Sequence, residues 1–238
     1  MRILALESSA GSSSACVMED GKILGEYYVN IKQTHSQTLM LMAQGVLQST
    51  NVPLSSIDLF AVSAGPGSFT GVRIGVACVK GMAMAEGKPC VGVSTLAAMA
   101  ENLTDLTGIV CCVMDARCQQ VYNALFRVEN GNVTRLTEDR AIAIVELAQE
   151  CAAMEGPIYL VGDGAVLCSR SAEFLALTNV RLTAEPVRYQ RSSGVASVAM
   201  QMAAVGETVS ASELLPVYLR LPQAERELKR KQNQTEDK

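Results

Sequence analysis

The chain has 238 residues, 24 acidic against 20 basic, for a net charge of −4, and it has no tryptophan. That length leaves room for one large domain or two lobes with a real core. An acidic chain without a basic stripe is a poor stand-alone ligand for nucleic acid, whose phosphates demand clustered Lys and Arg. The opening Met1-Arg2-Ile3-Leu4-Ala5-Leu6-Glu7 is too short an apolar run for a signal peptide. No apolar stretch approaches the roughly 20 residues that span a bilayer, so the expectation is a cytoplasmic chain with no membrane partner.

In chain order, Arg2–Glu7 reads as a strand followed by a Ser/Gly turn. Ala15–Met18 and Lys22–Val29 form a hairpin about Asp20-Gly21, a strong hairpin turn signal. A helix from about Ser36 to Ser49, capped by Thr34 or Ser36, stops before Pro53. Leu59–Ala64 is a short buried strand, Gly65-Pro66-Gly67-Ser68 a sharp turn, and Thr70–Glu86 a second helix closed by Gly87 and Pro89. Cys90–Val93 is a strand and Thr95–Leu103 helical. From Gly108 the order repeats: strands at Ile109–Met114, Gln120–Arg127 and Asn132–Thr137, a helix at Ile142–Met154, a strand at Pro157–Val161 and a helix at Ser193–Val205. This doubling predicts an α/β protein of two like lobes, residues 1–107 and 108–222. Gln223–Lys238 carries nine charges and one large apolar residue, which reads as a disordered tail.

From Gln33 to Ile57 there is no Asp, Glu, Lys or Arg, although a helix facing water normally carries charge on its outer side. The second helix has a small or flexible stripe, Gly71, Gly75, Cys78, Met82 and Ala85, beside Val72, Val76, Val79 and Ala83. Each glycine costs about 1 kcal/mol against alanine in a helix, so close packing must offset it. Two readings follow: both helices are central core, or one face packs on the home sheet while the other meets another protein. Interface cores are poor in charge and rich in Met, which favours the second. The expected docking face is Leu39, Met40, Ala43, Val46, Leu47, Gly71, Val72, Gly75, Cys78, Val79 and Met82.

Signals for catalysis are weak. The glycine turn lacks the Gly-Lys-Ser/Thr ending of a phosphate loop, although it places free amides at a helix start, which favours an anion. Val161-Gly162-Asp163-Gly164 has the form of a strand-end loop that could approach a ligand. Glu7, Ser68, Gly162 and Gly164 are thus candidate nucleotide or anion contacts. A triad would have to use His35, the one histidine, and no Gly-x-Ser-x-Gly elbow is present. None of the eight cysteines forms Cys-x-x-Cys. They read as reduced, mostly buried thiols, and neither a metal nor a cofactor is expected.

Ile3-Leu4-Ala5-Leu6-Glu7-Ser8-Ser9, Thr34-His35-Ser36 and, above all, Gly65-Pro66-Gly67-Ser68-Phe69-Thr70-Gly71-Val72-Arg73-Ile74-Gly75 resemble the bacterial TsaB (YeaZ) family of tRNA threonylcarbamoyladenosine biosynthesis. Asp115-Ala116-Arg117, Val121-Tyr122, Gly162-Asp163-Gly164 and Pro216-Val217-Tyr218-Leu219-Arg220 extend the match along the chain. The resemblance implies a two-lobe fold of the actin, sugar-kinase and Hsp70 type and the role of a non-catalytic partner. The family's catalytic paralogue TsaD transfers threonylcarbamoyl to the adenosine beside the tRNA anticodon, with the ATPase TsaE assisting. In this reading the two helices dock TsaD, or a second copy of the chain when TsaD is absent, and tRNA is met only through the complex. TsaD holds its metal on a His-x-x-x-His helix; Thr95 and Met99 stand there in this sequence, and neither suits iron or zinc as imidazole does. The kinase-like relatives use an Asp-x-Gly-Thr phosphate turn, where this chain has Glu7-Ser8-Ser9-Ala10. The competing class is an enzyme of the same superfamily, a kinase using ATP through Glu7 and Asp115 or a glycoprotease-like peptidase.

Overall fold

The computed structural model describes residues 1–31 and 34–220; the charged tail expected at 223–238 lies outside them. Eleven strands and eight helices are formed among those residues: β1 Arg2–Glu7, β2 Ser13–Glu19, β3 Lys22–Val29, α1 His35–Thr50, β4 Leu59–Gly65, α2 Phe69–Glu86, β5 Cys90–Ser94, α3 Thr95–Glu101, β6 Gly108–Asp115, β7 Gln120–Glu129, β8 Asn132–Arg135, β9 Arg140–Ala143, α4 Ile144–Ala152, β10 Ile158–Val161, α5 Ala165–Ser169, α6 Ala172–Leu175, β11 Val180–Leu182, α7 Glu185–Arg188 and α8 Ser192–Ala204.

The first sheet has the order β3-β2-β1-β4-β5, and the second has β8-β7-β6-β10-β11 with β9 added on β7. The two orders are the same: a three-strand antiparallel meander, then two strands joined in parallel. β1 runs antiparallel to β2 and parallel to β4, and β6 stands in the same relation to β7 and β10. The doubling expected from element order is therefore real at the level of topology.

Both faces of each sheet are covered, so the central strands are near-continuous apolar runs rather than alternating ones. On the first sheet Leu4, Leu6, Val17, Phe60 and Val62 face α1 and α2, while Ile3, Ala5, Cys16, Met18, Leu59 and Ala61 face α8. On the second, Ile109, Cys111 and Val113 face α4 and α5. Val110, Cys112 and Met114 meet Leu96, Met99 and Ala100 of α3, so α3 is the wedge between the sheets. The adjacent Cys111 and Cys112 point to opposite faces, as the period of a strand requires.

The boundary of the second lobe needs correction. Residues 192–220 were expected there, yet Val195, Ala196 and Ala199 of α8 pack on the first sheet. Val209 then pairs with Cys90, and Leu214 enters the core beneath α1 and α2. Apolar area decides this: α8, which carries no charged residue, covers most of the β1–β2–β4 face at the back of the first sheet, beside Ala98 of α3.

Candidate functional site

Two surfaces answer the sequence expectations: the outer side of α1 and α2, and the cleft between the lobes. α2 begins after Ser68, whose hydroxyl accepts the Gly71 amide at 3.3 Å, and it ends on Gly87 in the left-handed region at φ 62°. α1 begins after Thr34 without a side-chain cap and ends on Asn51, also left-handed at φ 53°. Each helix presents one row to its own sheet.

That row takes most of the expected docking residues. Leu39, Ala43, Val46, Val72, Val79 and Met82 are buried in the core of the first lobe, and Gly71 and Gly75 are buried as well. The glycines do serve a close approach, but to the chain itself. A Cβ on Gly71 would sit on the Ser8 carbonyl oxygen, and one on Gly75 would lie 2.6 Å from Ser8 Oγ and 3.0 Å from Val62 Cγ2. These eight residues are therefore not available to a partner. Met40 is exposed, and Leu47 and Cys78 are half-buried. The open surface is instead carried by Met40, Leu41 and Met84, exposed by 45%, 66% and 66%, beside the exposed Ala77, Gly81 and Ala85. Leu41 was missed because α1 carries no charge to mark which side faces water, and Met84 although it shares a helical stripe with Arg73 and Lys80 of α2.

The cleft is a cavity of about 480 Å3 between the turn before α2, the ends of β6 and β10, and the segment after α8; Ser9, Ser68, Phe69, Asp115, Arg117, Asp163 and Arg220 are in its lining. Ser68 reaches it, but the other three candidate ligand contacts do not line it. Glu7 lies beneath, fully buried, with its carboxylate accepting the Ser9 amide at 2.5 Å and the Ser63 hydroxyl. Burial pushes its carboxyl above the usual range, against the hydrogen bonds from Ser63 and Ser9. Gly162, at φ 109°, donates to the Arg188 carbonyl at 2.7 Å, and Gly164 donates to the Val113 carbonyl at 3.2 Å. These glycines let β10 turn tightly over the end of β6.

Asp163, between them, is the side chain that faces the cleft. Burial raises its carboxyl too, opposed first by the hydrogen bond from Gln190, whose Nε2 lies 2.8 Å away. Asp115 is spent locally: its two oxygens accept the Arg117 amide at 2.7 Å and the Arg117 guanidinium at 3.2 Å. Arg117, Cys118 and Gln119 are all left-handed, at φ 66°, 55° and 56°. His35 donates from Nε2 to the Ala10 carbonyl at 2.6 Å and so pins the loop after β1 to the start of α1. Thr95 and Met99 are both buried on α3.

Two like lobes, each built on five strands in the same order (with β9 added to the second sheet) and with helices on both faces, define the actin, sugar-kinase and Hsp70 class of fold. The solved structure of a component of (R)-2-hydroxyglutaryl-CoA dehydratase from Acidaminococcus fermentans shares it, with a TM-score of 0.50 at 12% identity over 86% of this chain and 99% of that one. Within that class, the sequence profile of the family described as TsaD, tRNA N6-adenosine threonylcarbamoyltransferase, matches residues 22–225. The tRNA threonylcarbamoyladenosine biosynthesis protein TsaB of Escherichia coli K12 is 31% identical over 227 residues, 92% of this chain and 95% of its own. YeaZ from Pseudomonas aeruginosa superposes with a TM-score of 0.76 at 28% identity, covering 92% of this chain and 99% of that one. The chain belongs to the TsaB (YeaZ) family.

Proposed function

We propose that this protein is a non-catalytic subunit in the synthesis of N6-threonylcarbamoyladenosine on tRNA, and that it docks the catalytic transferase TsaD through the outer side of α1 and α2. The observation that carries the reading is the exposure of Met40 and Leu41 on α1, a helix with no charged residue. Apolar, charge-poor helix surface of this kind suits the core of an interface. The same patch pairs two copies of the chain when TsaD is absent. TsaE joins as the ATPase partner, and tRNA is met through the complex, consistent with a net charge of −4.

The cleft supports the non-catalytic half of the proposal. Glu7, which stands where the kinase-like phosphate turn has its Asp, is turned inward onto Ser9 and Ser63 and does not line the cleft. Magnesium-dependent ATP turnover by the isolated chain, lost on Glu7→Ala, would restore the enzyme reading. The docking test is light scattering of the chain alone and mixed with TsaD from the same cell. Conversion of a homodimer into a mixed complex is expected, and a monomer indifferent to TsaD would overturn the proposal.

A further inference from the structure

The motif Pro216-Val217-Tyr218-Leu219-Arg220 plays no part in the docking face, yet it touches both lobes. The segment that leads to it is fastened to the first lobe. Cys90 and Val209 exchange backbone hydrogen bonds of 2.8 and 2.9 Å. Lys80 Nζ donates to the carbonyls of Ser212 and Leu214 at 3.1 and 3.2 Å, and Leu214 is buried in the core. The Val217 amide then donates to Ala64 at 2.7 Å, against Gly65, where any Cβ would strike the Val217 carbonyl. Tyr218 stacks on Phe69 with centroids 4.9 Å apart, and the Arg73 guanidinium covers Phe69 at 4.9 Å from its ring centroid. Two residues on, the chain has reached the second lobe: Arg220 Nη1 donates to the Ala116 carbonyl, just past the end of β6, at 2.7 Å.

Val217, Tyr218, Leu219 and Arg220 all line the cleft, so this crossing lies over its mouth. The fastenings differ in kind along its length. Leu214 is held by burial, whereas beyond it Leu215, Val217 and Tyr218 are exposed and the chain is retained by single hydrogen bonds and one ring stack. Such contacts are individually weak and can be released without disturbing either core. Behind the cleft the lobes share the α3 wedge.

We infer that Pro216–Arg220 is a strap that holds the two lobes at a fixed opening and covers the cleft mouth, with Arg220 as its releasable catch on the second lobe. The motifs Gly65-Pro66-Gly67-Ser68-Phe69, Asp115-Ala116-Arg117 and Pro216–Arg220, far apart in sequence, then form one device: two anchor points and the strap between them. The inference does not depend on which partner covers α1 and α2.

The test is the distance between nitroxide labels carried by unnatural amino acids at Ser55 and Glu173, exposed positions on the first and second lobes, in the otherwise complete chain. The distance distribution is expected to be narrow in the parent and to broaden toward longer distances in Arg220→Ala and in Tyr218→Ala, with the circular dichroism spectrum unchanged. Arg181→Ala, on the exposed edge strand β11, is the control and leaves the distribution where it was. A distribution in Arg220→Ala that superimposes on the parent overturns the strap, as does an equal shift in the control.

Discussion

Glu7 is the residue whose environment departs most from what its type prefers: a carboxylate with no exposure, held by hydrogen bonds but facing no cation at hydrogen-bond distance among the described residues. Its folded-state carboxyl titrates above the ordinary glutamate range because burial disfavours the charge more than Ser63 and Ser9 relieve it. The native state therefore keeps a proton that the unfolded chain releases, and stability falls as pH rises from that range through the raised value. Replacement by the neutral amide, Glu7→Gln, removes this slope and leaves the protein more stable at neutral pH. Urea midpoints followed from about pH 4 to 8 decide the matter; a parent and variant with parallel profiles would sink it. Gly75 gives the complementary case. Sequence alone ranked it as part of a surface for another protein. Its place against Ser8 Oγ and Val62 now predicts that Gly75→Asp fails to give the native fold. Gly71→Ala, forced onto the Ser8 carbonyl, costs on the order of 1–3 kcal/mol by overpacking, read as a lowered melting temperature. Spacing showed that something approaches these glycines closely, but a sequence cannot name the approaching atom.

At the scale of the element, helix ends were legible where capping chemistry marks them. Ser68 caps α2 and Gly87 closes it, as their residue types predict. The left-handed Asn51 that ends α1 carried a weaker signal beside Pro53. The helix expected from Ile142 begins at Ile144, because Arg140–Ala143 first pairs with β7 as β9, a preference set by the neighbouring strand rather than by local propensity. The helices α5, α6 and α7 are only four or five residues long and never complete a hydrophobic period, so they were not foreseen. The faces of α1 and α2 were the costliest loss. With no charge over the whole of α1, pattern could find the helix but not its outward side. The structure supplies that side and with it a paired prediction. Leu41→Glu and Met84→Glu, on exposed positions, leave the melting temperature within error and weaken TsaD binding by about tenfold or more, read by calorimetry. Leu39→Glu, two residues before Leu41 but buried, loses the fold instead. Equal affinity in the two surface variants and the parent would place the docking face elsewhere.

Across the whole molecule, repetition of element order was enough to anticipate two lobes of one topology, because it follows from the chain's own periodicities. It was not enough to assign α8, since a helix shows its apolar face without saying which sheet will receive it. The consequence is that the lobes are not separable at residue 107. Without α8, the back of the first sheet would leave Ile3, Ala5, Cys16, Met18, Leu59 and Ala61 without their cover from Val195, Ala196 and Ala199. It would also lose Leu214 from the opposite core. Exposed apolar area on that scale outweighs the few kcal/mol by which a domain is stable. A fragment of residues 1–107 is therefore expected to lack a cooperative thermal transition and to bind a hydrophobic dye, even though it contains every strand of its sheet. Adding residues 192–220 through a flexible linker replaces both the helix on the back and the leucine on the front, and should restore a cooperative melt. A cooperative transition in the shorter fragment alone would show that the first lobe needs nothing from the end of the chain, and the first division, at 107, would then be the physical one.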